Sequence, residues 1–526
     1  MSLPLDSTGI AGLDEVLGGG IQRGSLAIIA GPPGGGKTIL AHQIAFQAAR
    51  SGRDTTILTA FSEPTNKLIA HMRPFRFFDQ ELLGGPLNIL SIQQFLRQGL
   101  ESATEEIVGA ARAAKSNLVV LDGFRGVRET AEHPEGARRF IYDVSNRLGL
   151  LGVTLLVTSE ANVRDAAFFL EATIADVLLG LSFDVIEARE RRTLEVLKVR
   201  GAAPLTGRHA IRISDDGVTI YPRLEARIAR QVGVNRTLTH ADARHAATAG
   251  ADMVSASEQR PSDLVHSGVT GLDVLLDGGL VPRTTTLLAG DRGAGKTLFA
   301  LQFALESVRA GERSLFVGFR ETAEQLVRKT AAFAWGHELV DALMSGALTL
   351  VRTPPVELRV DVVVDNLLSL LDETGARRLV VDGVGEVVAA LAAWGYEQRA
   401  SDLLAALAEA TRLRGVTALY TRQTPVMRQL NGIASSDPLA TLADNLLALR
   451  HEMEGQRFER SLAIVRTEHS SRQDIWHSVV IEPPEGLTIQ AESTSGQSSS
   501  WLTHSRKSAD SGGRASVPAG VRRDGQ

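Results

Sequence analysis

Short runs of apolar and β-branched residues alternate along this chain with longer segments whose apolar residues recur every three or four positions. Four runs in the first half are almost continuously apolar, the pattern of strands that are buried on both faces. These runs are Ser25–Ala30, Thr55–Ala60, Asn117–Leu121 and Thr154–Thr158. Because helical segments separate them, the pattern predicts an α/β fold with parallel strands and crossover helices.

The same pattern occurs twice. Shifting the chain by about 259 positions, the offset between Lys37 and Lys296, aligns two long stretches. TGIAGLDEVLGGGIQRGSLAIIAGPPGGGKT begins at Thr8, and SGVTGLDVLLDGGLVPRTTTLLAGDRGAGKT begins at Ser267. The repeat predicts two copies of one α/β domain.

The domain limits follow from where this pattern stops. We expect one domain over residues 1–224 and a second over residues 264–490. Residues 225–263 are rich in Ala and Arg and have no steady apolar period, which predicts a linker, with a short helix as an open alternative. Residues 491–526 are rich in Ser and Gly, which predicts a disordered tail.

Composition narrows the chemistry. The 526 residues include no cysteine, which excludes disulfides, iron–sulfur clusters, thiolate zinc sites and cysteine nucleophiles. The start lacks a signal peptide pattern, and apolar runs such as Leu148–Val157 are too short to span a membrane. We therefore expect a soluble, cytoplasmic protein without a membrane partner. The net charge of −5 argues against a large nucleic-acid footprint.

Each copy has a glycine-rich loop between a predicted strand and a predicted helix. GPPGGGKT and GDRGAGKT both match the phosphate-binding pattern G-x4-G-K-T. In such a loop the backbone N–H groups surround the β-phosphate, the lysine reaches the β- and γ-phosphates, and the threonine ligates Mg²⁺. A glycine turn without a ligand is the alternative, which the repetition disfavours. The predicted ATP-binding residues are Gly31, Gly34, Gly35, Gly36, Lys37 and Thr38 in the first copy, and Gly290, Gly293, Ala294, Gly295, Lys296 and Thr297 in the second.

Acidic residues follow neighbouring strands. Asp122 and Asp382 each come directly after a buried run, where an open α/β sheet collects its ligand groups, so we expect them to complete the Mg²⁺ sites with Thr38 and Thr297. Helix-capping aspartates are the alternative. Glu63 and Glu321 each follow another strand and are the candidates for orienting the attacking water. Ordinary solvated glutamates are the alternative there. All four acids occupy matching positions in the two copies.

With these residues in place, the chain resembles the double-domain form of the KaiC family of RecA-like ATPases. The repeated glycine-rich stretches, LVVLDG and RRTLEVLKVRGAAPLTGRHAIRISDDGVTIYPRLE carry the resemblance. It implies two tandem RecA-like domains, a homo-hexameric ring, and ATP bound between neighbouring subunits. It also implies that the K-x-R-G segment, here Lys198 and Arg200, reaches the neighbour's γ-phosphate as an arginine finger. A basic strand end on the surface is the alternative.

The sequence departs from the family pattern at several catalytic positions. Where the family has two adjacent glutamates after a phenylalanine, this chain has Ser62 before Glu63 and Arg320 before Glu321. The second copy also reads RTEH at 466–469 in place of K-x-R-G. We therefore expect the second domain to bind ATP but to hydrolyse it weakly.

The resemblance also concerns a phosphoacceptor, because the clock protein of the family phosphorylates an adjacent Ser-Thr pair in its second domain. Here Ala440 stands at the serine position and Thr441 remains. Thr441 is thus the residual candidate acceptor. The alternative is a threonine whose hydroxyl bonds to its own helix or loop.

Three function classes follow. The leading one is a ring-forming ATPase that acts as a nucleotide-dependent signalling or timing scaffold for a protein partner of unknown identity. The second is a serine/threonine autokinase of the circadian-clock type, which the altered base and acceptor positions weaken. The third is a RecA-like motor on DNA, which would need basic loops with stacking aromatics. With 5% aromatic residues and net acidity, nucleic acid is the less expected partner.

Overall fold

The computed structural model of the chain describes residues 4–60, 65–161, 170–233, 264–424, 438–454, 457–468 and 473–490. Within them the chain forms two α/β units in tandem, each built on a nine-stranded sheet that is flanked by helices. The predicted fold class is confirmed. Residues 234–263 of the expected linker and the expected tail at 491–526 lie outside the described residues. Among the described helices, none combines the length and apolar character that a membrane crossing requires.

The first domain contains a small hairpin and the large sheet. Its strands are β1 (Leu5–Asp6), β2 (Ile21–Gln22), β3 (Leu26–Ala30), β4 (Thr55–Thr59), β5 (Leu87–Ser91), β6 (Leu118–Asp122), β7 (Thr154–Ser159), β8 (Val177–Ile186), β9 (Arg189–Val199), β10 (Arg208–Ser214) and β11 (Gly217–Tyr221). Its helices are α1 (Leu13–Leu17), α2 (Lys37–Arg50), α3 (Thr65–Met72), α4 (Gln93–Arg97), α5 (Leu100–Ala113), α6 (Arg125–Thr130), α7 (Pro134–Leu150) and α8 (Leu224–Val232), with 3-10 turns at Gln80–Leu82 and Leu170–Thr173. The strand order is β11-β10-β9-β8-β3-β7-β6-β4-β5.

The second domain repeats this arrangement. Its strands are β12 (Thr285–Gly290), β13 (Ser314–Gly318), β14 (Leu348–Arg352), β15 (Arg378–Asp382), β16 (Thr417–Gln423), β17 (Asn445–Glu454), β18 (Arg457–Arg466), β19 (Gln473–Glu482) and β20 (Gly486–Gln490). Its helices are α9 (Leu272–Leu275), α10 (Lys296–Arg309), α11 (Ala323–Thr330), α12 (Gly336–Ser345), α13 (Val360–Thr374), α14 (Val384–Ala393), α15 (Arg399–Leu413) and α16 (Pro438–Leu442). The strand order is β14-β13-β15-β16-β12-β17-β18-β19-β20, so each strand has its counterpart in the first sheet.

The central strands are buried on both faces, as their continuous apolar runs predict. In β3, Ala27 and Ile29 join the core on the α2 side, whereas Leu26, Ile28 and Ala30 join the core beneath α5 and α7. Each large aliphatic side chain buried in this way contributes roughly 1.5–3 kcal/mol. The core therefore holds the sheet rigidly between two helical layers.

The pairing direction decides which groups meet. Strands β8, β3, β7, β6, β4 and β5 are paired in parallel, and β9 to β11 extend the sheet with antiparallel pairs. The second sheet has the same division, with β17 as the last parallel strand before β18 to β20. In each sheet the carboxyl ends of the parallel strands thus lie along one edge. The glycine-rich loop of that domain begins at this edge.

Helix α8 continues the first domain but packs on the second. Leu224 and Ile228 are buried in the core cluster that α13 and α15 form in the second domain. Beside them, the Arg399 guanidinium contacts both oxygens of Glu225 at 2.6 and 3.1 Å and both oxygens of Asp361 at 2.6 and 3.2 Å. These contacts raise the pKa of Arg399 although its burial acts in the opposite direction. The start of the predicted linker is therefore a docked helix.

A second arginine on α8 extends this junction. Arg227 contacts Glu15 of α1 at 2.7 and 2.8 Å and Asp365 of α13 at 2.9 Å. Charge-assisted pairs of this kind are stronger than neutral hydrogen bonds, and planar arginine fixes their geometry. Together the two arginines join the first domain to the second across α8.

We expect the docking of α8 to weaken in acid. Burial alone would raise the pKa of Glu225, but its contacts with Arg399 outweigh this and hold the pKa below the ordinary value of 4.5. The ion pair therefore stabilises the fold fully above that ordinary value and loses its contribution as the pH falls through the lowered pKa. Hydrogen exchange of Leu224–Val232, corrected for intrinsic rates, should be constant down to about pH 5 and should accelerate at lower pH.

Two variants separate this pair from general acid effects. R399Q should accelerate exchange of the same helix above about pH 5 and should differ less from wild type in acid, because it removes the cation that pairs with two largely buried carboxylates only while they are ionised. R309Q removes the exposed Arg309–Glu338 pair and should leave α8 unchanged. Equal exchange of α8 in wild type and R399Q would contradict the assignment.

Candidate functional site

The first glycine-rich loop joins β3 to α2. Gly34 and Gly36 have φ values of +76° and +95°, a region that favours glycine. A Cβ added at Gly36 would lie 2.8 Å from Cδ1 of Ile213, so the end of that side chain would have to shift. The ammonium of Lys37 donates to the carbonyl of Pro32 at 2.9 Å, and burial lowers the pKa of this lysine.

The second loop, between β12 and α10, has the same shape. Gly293 and Gly295 have φ values of +80° and +113°. The Lys296 ammonium donates to the carbonyls of Gly290 and Asp291 at 3.0 and 2.6 Å. Burial lowers the pKa of Lys296 as it does in the first copy. Both loops are thus preformed, with the lysine held over the backbone.

A threonine and an aspartate meet beside each loop. In the first domain, Oδ1 of Asp122 accepts from Thr158 at 2.5 Å and from Thr38 at 3.2 Å. Its other oxygen, Oδ2, lies 3.3 Å from Nε2 of the buried His42. In this domain the carboxylate is therefore contacted at both oxygens from within the protein.

The second domain differs in one of these contacts. Oδ1 of Asp382 accepts from Thr421 at 2.5 Å, and Oδ2 accepts from Thr297 at 2.9 Å. The position that matches His42 is the buried Leu301. Asp382 therefore has two hydroxyl partners and no imidazole among the residues that the structure describes.

The two carboxyl groups consequently differ in their pKa. Burial pushes the pKa of both upward. For Asp122, contacts with His42, Thr158 and Thr38 outweigh burial, and the pKa lies below its usual value. For Asp382, burial prevails and the pKa is raised. The imidazole beside Asp122 and the negative charge of Glu321 near Asp382 thus both separate the two sites.

The donor set suits Mg²⁺. A threonine hydroxyl and a carboxylate, 2.9 to 3.2 Å apart at the base of each loop, are the hard oxygen ligands that this ion takes together with phosphate oxygens and water. In the described residues there is no cluster of three or more His, Asp or Glu side chains that would form a self-sufficient metal cage. A cation here would need the nucleotide to complete its coordination.

The predicted water-orienting glutamates have different outcomes. Glu63 lies outside the described residues. Glu321 is described, and its Oε1 accepts from the Lys329 ammonium at 2.5 Å. The neighbouring Arg320 is paired with Glu386 at 2.6 and 2.8 Å. In the second domain both residues after the phenylalanine are therefore engaged in ion pairs.

Comparison with known proteins agrees with this geometry. The family model described as "ATPase: KaiC" matches residues 7–225 and again residues 265–494. The chain belongs to the KaiC family of ATPases. A circadian clock oscillator protein KaiC from Rippkaea orientalis is 25% identical over 500 residues, covering 92% of this chain and 88% of the relative. KaiC 1 from Synechocystis sp. is 26% identical over 483 residues, covering 89% and 85%. Membership of this family implies nucleotide binding.

The K-x-R-G segment of this KaiC-family chain lies far from the loop of its own domain. Arg200 donates from its backbone N–H to Asp176, whose own N–H donates to Leu26 at the start of β3. The phosphate-binding loop begins at the other end of β3, about 13 Å away at roughly 3.3 Å per residue. Lys198 donates to the carbonyls of Ala172 and Thr173 at the same amino edge. The structure therefore does not bring Lys198 or Arg200 to the first loop within one chain.

Thr441 occupies the corresponding edge of the second KaiC domain. It lies exposed on α16, just before β17, whose first residue Asn445 pairs with Thr286 near the start of β12. The guanidinium of Arg466, which replaces the lysine of K-x-R-G, donates to the backbone carbonyls of Ala440 and Ala443. The loop of the same chain is at the opposite edge.

Three residues near the first loop were missed by sequence reasoning. Glu160 follows β7 at the loop edge, and its negative charge raises the pKa of Lys37 against the effect of burial. Its position directly after a buried strand could have identified it from the sequence. His42 is a polar residue on an apolar helix face, which was also visible. Arg192 donates to the Gly34 carbonyl at 3.1 Å from β9, and no local pattern could have revealed this long-range contact.

We expect Gly36→Ala to impair nucleotide binding in the first domain alone. The new methyl group would adopt a strained φ and collide with Ile213, at a cost of about 1–3 kcal/mol. ATP affinity at that loop should fall by about tenfold or more, while the second loop keeps its affinity. Equilibrium binding of labelled ATP, in variants that retain only one functional loop, measures each site.

Gly109→Ala is the matched control. Gly109 lies exposed in α5, and an added Cβ meets nothing within 4 Å. This change should leave both affinities intact and stabilise the helix by up to about 1 kcal/mol. Unchanged ATP binding in Gly36→Ala would show that the first loop is not the nucleotide site.

Proposed function

We propose that this chain is an ATPase whose first-domain active site is completed by a second copy in a homo-oligomeric ring, hexameric as the family resemblance implies. The supporting observation is that the loop and the K-x-R-G segment lie at opposite edges of one sheet. An arginine at one edge cannot serve a phosphate at the other edge of the same rigid sheet. The arginine can instead serve the loop of a neighbouring subunit whose loop edge faces the K-x-R-G edge of the first.

The chemistry assigned to each group follows from its position. The loop N–H groups and Lys37 hold the phosphates, and Thr38 and Asp122 hold Mg²⁺ when ATP is bound. The ion supplies charge neutralisation on the β- and γ-phosphates. Arg200 from the neighbour stabilises charge that develops on the γ-phosphate, and Glu63 orients the attacking water. Arg200 is largely exposed, and its guanidinium contacts Asp176 at 3.2 Å, so it is available for such a role.

The second domain binds ATP in this proposal but hydrolyses it slowly. Its loop is intact, whereas Glu321 is paired with Lys329 and Arg320 occupies the position of the other glutamate. Glu468 replaces the finger arginine and would repel the γ-phosphate. Nucleotide in this domain therefore acts mainly as a structural ligand.

Turnover in the first domain then changes the surface that the ring presents to a protein partner. ATP at an interface contacts two chains, so hydrolysis alters the relative affinity of the two subunit arrangements. The named clock oscillator relatives, at about a quarter identity over most of the chain, support a signalling or timing role. An autokinase of the clock type is the weaker alternative, because Thr441 lacks the adjacent serine and Arg320 stands where the family has the first of its two glutamates.

Mixing two inactive variants tests the shared site. In a K296A background, which silences the second loop, K37A and R200Q should each lose ATP turnover. A ring assembled from equal amounts of both places some intact loops beside intact arginines. Random assembly should restore about a quarter of the activity of the K296A parent, since half the loops and half the fingers are intact. Phosphate release measures this recovery.

R147Q is the control, because it removes an exposed arginine that is paired with Glu105. ATP turnover should be the same as in the K296A parent, both for R147Q alone and in mixtures. Light scattering with and without Mg²⁺ and ATP reports assembly of the same samples. Absence of recovery in mixtures that do assemble would contradict a finger supplied by the neighbour. A chain that stays monomeric with ATP would contradict the ring.

The same single-loop variants compare the two domains. K37A, which keeps only the second loop, should bind ATP yet release phosphate about tenfold or more slowly than K296A, because its base and finger positions are altered. Intact-mass spectrometry of K37A after incubation with Mg²⁺ and ATP should show no stoichiometric phosphate on Thr441. Equal turnover in the two variants would contradict the division of roles. A full phosphate on Thr441 would establish the autokinase.

A further inference from the structure

His42 lies on the buried face of α2, five residues after the loop lysine. Its side chain is fully buried, and its Nε2 faces Oδ2 of Asp122 at 3.3 Å. Neither Nε2 nor Nδ1 makes a hydrogen bond within the described part of the chain, so Nε2 lies close to Oδ2 without a full hydrogen bond. A polar ring is costly to bury without partners. Asp122 is thus the group toward which this ring is directed.

The repeat supplies an internal comparison. Leu301 occupies the matching position on α10 and is buried among apolar side chains. One hydroxyl contact is shared, since Thr158 and Thr421 both donate to Oδ1 of their aspartate at 2.5 Å. The loop threonine donates to Oδ1 of Asp122 in the first copy and to Oδ2 of Asp382 in the second. The imidazole is the added element in the first copy. The fold therefore does not require a histidine at this position.

The consequence for the carboxylate is geometric. Thr158 and Thr38 both donate to Oδ1 of Asp122, which leaves Oδ2 to the imidazole. In the second domain a hydroxyl makes the contact at that oxygen, since Thr297 donates to Oδ2 of Asp382 at 2.9 Å, so among the described residues the restraint of Oδ2 depends on an imidazole in the first domain alone. Outer contacts that orient a metal-binding carboxylate commonly affect metal affinity by about 10- to 100-fold. Asp382 has no imidazole contact of this kind among the described residues.

We propose that His42 is a positioning residue that fixes Asp122 for the divalent cation in the first domain. The proposal rests on the nucleotide sites described under the proposed function, and it adds a specific asymmetry between them. It assigns His42 no contact with ATP and no proton transfer.

The test uses the full chain with K296A, so that only the first loop binds nucleotide, and Mn²⁺ as the probe. Electron paramagnetic resonance measures free Mn²⁺ in the presence of saturating ATP. H42L, which copies the second domain, should weaken Mn²⁺ binding by about tenfold. H42Q, whose side-chain amide can donate near the position of Nε2, should retain an affinity within about threefold of the parent. Binding of labelled ATP in EDTA reports the loop without the cation.

The reciprocal change in the second domain is the internal comparison. In a K37A background, which keeps only the second loop, L301H should change Mn²⁺ binding by less than about threefold, because Thr297 already donates to Oδ2 of Asp382. Gln43→Leu in the K296A chain is the matched control for buried polar groups on α2. Gln43 contacts the backbone of Val218 at 2.7 and 3.3 Å and lies away from Asp122, so this change should lower stability without changing Mn²⁺ affinity.

Unchanged Mn²⁺ affinity in H42L would overturn the proposal. So would an equal loss in Gln43→Leu, because that result would mark a general effect of disturbing α2. A loss in H42L that H42Q does not restore would also count against it. Absence of labelled ATP binding in the K296A parent would overturn the proposed function, and this inference with it.

Discussion

Parallel strand pairing is the constraint on which the rest of this molecule depends. It places the carboxyl ends of the central strands along one edge, so loops far apart in sequence supply a lysine, a threonine and an aspartate to the same place. The same constraint places the K-x-R-G segment at the opposite edge, because β9 returns antiparallel to β8. A sheet packed between two helical layers cannot bend to bring these edges together. The proposed division of the site between chains is therefore a consequence of topology.

The two repeats show how far chemistry can diverge on one backbone. Both loops have the same glycine conformations and the same lysine position, so nucleotide recognition depends on features that the repeat preserves. The differences lie outside the loops themselves, where Leu301 replaces His42 on the helix that follows and where Arg320 is paired with Glu386. Such changes alter charge and carboxylate orientation without altering the sheet. The repeat thus contains two sites that share a shape and differ in electrostatics.

Sequence patterns were sufficient for the fold and for placing each glycine-rich loop between a strand and a helix. The buried runs predicted the central strands to within one or two residues, because five consecutive apolar positions are typical of a strand that is covered on both faces. Contacts across long stretches of chain were not accessible in this way. Arg192 reaches Gly34 from a distant strand, and Arg399 joins two carboxylates from different domains. Such pairings depend on how the elements pack, which local periodicity does not encode. Glu63, the residue expected to orient water, lies outside the described part of the chain.

The docking of α8 changes where one repeat ends and the other begins. By sequence the break falls near residue 224, yet Leu224 and Ile228 fill space inside the second domain, and Arg399 needs Glu225 as a partner. A second repeat expressed from residue 264 would lack these groups and would expose a groove in its own core. The repeats are thus interlocked and do not form two interchangeable modules. Any rotation of one against the other has to move α8 with its buried charges, so the helix restricts the relative orientations that the two nucleotide sites can adopt.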